Sequence, residues 1–224
     1  MKLDEKIKFI DFHSHHGSGD HETVVIRNLL ALEKVPVISS PGTYYSIGIH
    51  PWYLTRSNSG ELMDALRETI NHELVIALGE AGFDAIKGPV LSVQYDAFIR
   101  QARLAEELKM PVVIHSVRFW DVLRKSKEKV NPSVKWIIHG FRGKAKLASE
   151  LVSEGFMLSL GIKGIINDVI EAAGCDNLLL ETDDADHSIR DVYDCLIRNS
   201  GITMDQAIAH IRDNFNRCFS NIKR

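Results

Sequence analysis

A (β/α)8 barrel, with reduced or missing helices after its first two strands, is the fold class this sequence predicts, and three observations point to it. Eight short apolar runs rich in β-branched residues recur along the 224 residues. Segments with helical spacing separate most of them, and a side chain with ligand chemistry closes nearly every run. Short, near-continuous apolar runs mark strands covered on both faces. Such strands alternating with helices close into a barrel or form an open doubly wound sheet. A barrel assembles its site from the ends of many strands, whereas a doubly wound sheet concentrates it at one switch point. The distribution of polar residues therefore favours the barrel, and no GxGxxG or GxxxxGK[ST] pattern argues for a nucleotide crevice.

The predicted strands are Lys8 to Phe12, Thr23 to Ile26, Tyr44 to Ile49, Leu74 to Leu78, Pro111 to Ile114, Lys135 to Ile138, Phe156 to Leu160 and Asn177 to Leu180. Helical periodicity begins after the third strand, where Gly60 to His72 places Leu62, Leu66 and Ile70 on one stripe. Val93 to Lys109 follows the fourth strand with Phe98, Ala102, Ala105 and Leu108 aligned. Shorter helices are expected at Phe119 to Lys129, Gly143 to Glu154, Gly164 to Ala173 and Ser188 to Asn199. Met204 to Phe219 closes the set, with Thr203 placed to cap it. The fold usually takes about 250 residues. The shortfall is expected between His16 and Tyr44, where helices after the first two strands are reduced or missing. No linker or repeat divides the sequence, so residues 1–224 read as one domain.

Composition narrows the function. With 27 basic against 30 acidic residues the net charge is −3, which excludes affinity for nucleic acid through a broad basic face. Phosphate contacts must be local. No apolar run approaches the roughly 18 to 20 residues of a membrane span, and Met1 to Lys8 is charged, so a cytoplasmic monomer or weak homo-oligomer is expected. The three cysteines form no CxxC pair, against a disulfide framework or a zinc knuckle.

The ten histidines are more informative. The first strand ends in DFHSHH, and His13 and His15, two apart on an extended segment, point the same way and suit one metal ion. His16 falls on the other face. Glu80, between glycines in LGEAGFD, is a carboxylate emerging from an apolar strand, where an unpaired charge is costly. His115, His139 and Asp183 close the fifth, sixth and eighth strands. Each alone is an ordinary core or loop residue; together on one face of a barrel they imply metal. The six donors fill two sites about 3.5–4 Å apart if one carboxylate bridges them, and Glu80 is the natural bridge. Asp183 can also accept a proton from the attacking water. His50, Arg118 and Arg142 are candidate substrate binders, since arginine matches phosphate bidentately, although arginines are also common in surface loops. Lys87 and Trp52 read as weaker candidates or loop packing. Asp184, Asp186 and His187 read as solvated loop.

These motifs resemble the TatD-type metal-dependent hydrolases, a deoxyribonuclease-like branch of the amidohydrolase-like barrels. The matching segments are DFHSHH at 11–16, GIHPW at 48–52, LGEAGFD at 78–84, the stretch from Gln94 to Arg118, IIHGFRG at 137–143, LLLETDD at 178–184 and DNFNRCF at 213–219. The resemblance implies a divalent-metal site from His13, His15, Glu80, His115, His139 and Asp183, and hydrolysis of phosphodiesters in DNA. Two ions are expected, with Zn, Mn, Ni or Mg as candidates. Ala185 stands where the family has proline after the ETD motif, and Gly140 and Arg142 where it has cysteine and serine, so this chain resembles a shortened subgroup.

Two other functions compete. An amidohydrolase-like enzyme acting on an ester, lactone or amide would use a similar HxH pair and distal aspartate, often with a modified lysine where this chain has Glu80. A non-catalytic metal-binding barrel would be expected to lack a ligand, and none is missing.

Overall fold

The computed structural model describes residues 2–220. Eight parallel strands succeed one another in chain order around one sheet. They are β1 (Phe9–Ser14), β2 (Thr23–Leu30), β3 (Thr43–Gly48), β4 (Val75–Asp84), β5 (Val112–Val117), β6 (Trp136–Ile138), β7 (Met157–Leu160) and β8 (Leu178–Leu180). The last strand returns to the first: the Asp183 N–H donates to the His13 carbonyl and the His15 N–H to the Asp183 carbonyl, both at 2.9 Å. Buried Asp11 reinforces this seam, accepting from the Thr182 N–H at 3.0 Å and hydroxyl at 2.6 Å. Eight strands of parallel pairing joined in this way make the predicted barrel.

Helices enter only after β3. They are α1 (Ser59–Thr69), α2 (Leu91–Leu108), α3 (Trp120–Val130), α4 (Ala145–Ser153), α5 (Asn167–Ala173), α6 (Ile189–Ser200) and α7 (Met204–Phe219). Residues 15–22 and 31–42 contain no helix, as the short spacing predicted. Two loops cover that wall instead, packed so tightly that a Cβ at Gly19 would lie 2.5 Å from the Gly42 carbonyl oxygen. The Gly19 N–H donates to Thr43 Oγ1 and the Ser39 hydroxyl bonds to Tyr45.

The predicted boundaries shift where local chemistry intervenes. The helix expected from Gly164 begins at Asn167 because residues 162–164 form a 3-10 turn. β2 and β4 extend four and six residues beyond their expected ends at Ile26 and Leu78, since the helix-poor arc and a bulge in β4 let pairing continue past the apolar runs. The last two helices begin at capping boxes, Ser188 with Asp191 and Thr203 with Gln206, which satisfy otherwise orphaned N–H groups.

The core occupies the interface between strands and helices. Trp136, fully buried on β6, packs edge-on against Phe98 of α2 at 5.2 Å, and Phe215 and Phe219 of α7 stack at 4.2 Å over the β1 side. Burying each such ring contributes roughly 1.5–3 kcal/mol. No helix among the described residues is long and apolar enough to cross a membrane.

Candidate metal centre

The C-terminal ends of the strands bring together His13, His15, His50, Glu80, His115, His139 and Asp183 around one cavity, with Asp84 and Glu181 against it. Glu80 reaches the cavity through a bulge. β4 advances from Leu78 to Ala81 while β5 advances only from Val112 to Ile114, and an extra residue of this kind re-aims a side chain. The flanking glycines allow it. At Gly82, with φ +152°, a Cβ would stand 1.9 Å from the His115 carbonyl oxygen, and at Gly79, with φ +131°, 2.3 Å from that of Val113. Only glycine fits backbone pressed so close. Asn28 of β2 then accepts the Glu80 N–H at 2.9 Å through its side-chain oxygen.

The two oxygens of Glu80 face different partners. Oε1 lies 2.7 Å from His139 Nε2, 2.8 Å from His115 Nδ1 and 3.0 Å from His50 Nε2. Oε2 faces His13 Nε2 at 3.6 Å and His15 Nε2 at 3.8 Å. Those two nitrogens also face Asp183 Oδ1, at 3.8 and 3.5 Å. Asp183 is held there by a left-handed backbone, φ +57°, just beyond β8.

The hydrogen bonds fix the roles of the rings. His50 Nδ1 accepts the Trp52 N–H at 3.1 Å, so its proton sits on Nε2 and His50 is a donor toward Glu80. His115 lies between two carboxylates, with Nε2 3.0 Å from Asp84 Oδ2 and Nδ1 turned inward, 2.8 Å from Glu80 Oε1. His139 likewise presents Nε2 to the centre, with Nδ1 facing Glu181 Oε1 at 3.7 Å. A carboxylate behind an imidazole fixes its orientation and raises its basicity, the usual surroundings of a metal-binding histidine.

The donor set fits divalent ions. His13 is fully buried, yet neither ring nitrogen has a hydrogen-bond partner, which is costly for a polar group unless it binds something else. Burial, with His139 beside it, holds the His13 pKa well below its ordinary value, leaving a neutral ring with a free lone pair. Burial alone would raise Glu80, but the His139 charge and hydrogen bonds from His115, His139 and His50 bring it well below the carboxylate range. Burial opposes the charge on His139, and Glu80 and Glu181 overcome it, raising that pKa. Burial raises Asp183, helped by Glu181 and Glu80. Neutral His13 and ionised Glu80 are in the ligand forms metals require, and the proton that Glu80 and Glu181 hold on His139 is one that a cation at the centre would displace.

A family model for the TatD-related DNases matches residues 22–220. The chain belongs to the TatD-related DNase family. Among TatD relatives, the uncharacterized metal-dependent hydrolase YjjV of Escherichia coli K12 is 28% identical over 212 residues, covering 80% of this chain and 80% of that protein. YabD of Bacillus subtilis, another uncharacterized metal-dependent hydrolase, is 33% identical over 149 residues, 62% of this chain and 58% of YabD. The 3'-5' ssDNA/RNA exonuclease TatD of Cronobacter sakazakii is 32% identical over 63% of this chain and 57% of its own length. The alignment thus spans less than two thirds of YabD and of that exonuclease. The crystal structure of E. coli YjjV superposes with a TM-score of 0.77 at 21% identity, covering 95% of this chain and 98% of the other. A TatD-family hydrolase from Entamoeba histolytica gives 0.74 at 14% identity, covering 96% and 99%. As a TatD-family member the chain is a metal-dependent hydrolase with a barrel fold.

Within this TatD barrel all six expected ligands converge, and His50 is buried beside them. Arg118 and Arg142 are exposed and edge an adjoining cavity that shares His115, His139 and Asp183. Asp184 and His16, set aside in the sequence, line the main cavity, whereas Asp186 stays in solvent. The residues missed are supports. Asp84 bears on His115, Glu181 on His139, and Asn28 on the Glu80 backbone. On α2, Gln101 brackets Ile49, accepting its N–H and donating to its carbonyl, and Gln94 does the same for Asp84. Asp84, four residues after Glu80 on one strand, carried a readable signal; the glutamines and Asn28 depend on cross-element register.

Proposed function

We propose that this protein is a phosphodiesterase acting on nucleic acid, most specifically a deoxyribonuclease, in which His13, His15, Glu80, His115, His139 and Asp183 would hold two divalent ions. The observation that carries the reading is the division of Glu80, with Oε1 toward His115 and His139 and Oε2 toward His13 and His15. His13, His15 and Asp183 would complete one site, and His115 and His139 the other. Bound there, divalent ions would supply Lewis acidity and a nucleophilic water at neutral pH. Nitrogen-rich donors suit Zn²⁺, Mn²⁺ or Ni²⁺ better than Mg²⁺.

The chain's own groups do the rest. Asp183, whose affinity for a proton burial raises, takes the proton of the attacking water. Attack on phosphorus breaks one ester bond, and the leaving oxygen takes up the proton that Asp183 collected, departing as a hydroxyl and returning Asp183 to its ionised form. His50 donates its Nε2–H to Glu80 in the free protein and would transfer that bond to a phosphoryl oxygen when substrate enters. Arg118 and Arg142 hold neighbouring phosphates, in keeping with a net charge of −3 that leaves contacts local. The nuclease named among the relatives supports this substrate class.

End-labelled single-stranded and duplex DNA, incubated with protein loaded with each ion, tests the proposal. Hydrolysis should fall more than about 100-fold in Glu80→Ala, exceeding the loss typical of an outer-shell partner, and bound metal per chain should fall with it. Equal release of nucleotides by both proteins sinks the reading. Faster turnover of p-nitrophenyl carboxyl esters than of the phosphodiester would transfer the protein to amidohydrolase-like chemistry.

A further inference from the structure

Resting on the nucleic-acid reading of this centre, we propose that Trp52 and Tyr53 form a stacking platform for the base next to the scissile phosphate. Both follow β3 in a 3-10 turn at Pro51–Tyr53, whose Pro51 is buried and whose first free N–H is capped by His50. Yet the two aromatic side chains stay open to solvent, 43% and 57% exposed. Both line the same cavity of about 370 Å³ as His50, Glu80, His115, His139 and Asp183. A tryptophan serving loop packing would bury its faces. Here a large ring is displayed at the mouth of a polar site.

The display is held rigid. Trp52 Nε1 donates to Asp84 Oδ2 at 2.7 Å, and the other oxygen of Asp84 accepts from the Ile86 and Lys87 N–H groups. The indole meets His50 edge-on at 4.9 Å and His115 at 5.8 Å. Tyr53 lies 5.9 Å from His50. A ring fixed before binding loses little rotamer freedom when a base arrives. The Lys87 ammonium, on an exposed side chain, lies over the Trp52 ring 3.8 Å from its centroid, and a base stacking on that face would displace it toward the strand's phosphates. Aromatic faces accept every base, so such a platform selects unstacked strands rather than sequence.

Binding of a labelled phosphorothioate oligothymidylate, followed by fluorescence anisotropy on the metal-loaded protein, tests the platform against the same oligonucleotide with abasic terminal residues. Wild type should bind the base-bearing strand about 10-fold more tightly, within the range that stacking of one base supplies. Trp52→Leu and Tyr53→Leu should each shrink that ratio, with metal content and melting temperature as folding controls. Trp52→Phe, which keeps a ring but loses the indole N–H, should retain most of it. Equal wild-type affinity for both strands, or an undiminished ratio in both leucine variants, overturns the platform. Base-dependent binding without hydrolysis would sink the nuclease and leave the platform standing. Hydrolysis with equal KM for both strand types would do the reverse.

Discussion

The split of Glu80 between two groups of imidazoles depends on a residue two positions away that carries no side chain. Gly82 lets β4 lie against the His115 carbonyl at a distance no Cβ tolerates, 1.9 Å. Gly82→Ala should therefore cost about 3 kcal/mol or more, combining overpacking with an unfavourable positive φ, and urea denaturation reads it directly. A midpoint within error of wild type would show that the strand relaxes freely. The convergence of these side chains on one face was legible in the sequence, because histidine and carboxylate after an apolar strand have few structural uses. The split of Glu80 was not, since it arises from a one-residue bulge whose position a run of letters does not disclose. His50 read as a substrate binder, but its tautomer needed the Trp52 N–H in place.

At the scale of elements, α2 does more than cover β4. Its Glu106 reaches the turn before β6, accepting from the Ser133 and Val134 N–H groups, the Ser133 hydroxyl and Lys109. Partial burial works against this carboxylate, but these donors lower its pKa from 4.5 to about 2. A depressed folded pKa means that its stabilisation is complete above the unfolded value near 4.5 and is lost as pH falls toward 2. Glu106→Gln should lower stability by about 1–3 kcal/mol at pH 7, and the gap from wild type should narrow between pH 4.5 and 2. A gap independent of pH would refute the assignment. Periodicity located α2 because its apolar stripe is continuous. It gave no sign of Glu106, Gln94 or Gln101 as anchors, for polar residues on a helix read as solvent-facing until their neighbours are known.

For the whole molecule, closure rests on the seam between β1 and β8. Thr182→Val keeps shape but removes the hydroxyl that donates to buried Asp11, and should cost about 1–3 kcal/mol, measurable as a lower melting temperature. An unchanged melting temperature would place the closing energy elsewhere. The number of strands and the helix-poor arc were legible in spacing alone, because a chain of 224 residues lacks the length for a full outer ring. How the arc is sealed was not, since interlocked loops have no periodicity. The seam also sets an order of events in time. Its hydrogen bonds join residues up to 171 apart in sequence, and His13 meets Asp183 only across it. During synthesis, the first histidines emerge long before the aspartate that completes their group. A growing chain therefore carries an unfinished centre until its eighth strand has left the ribosome and paired.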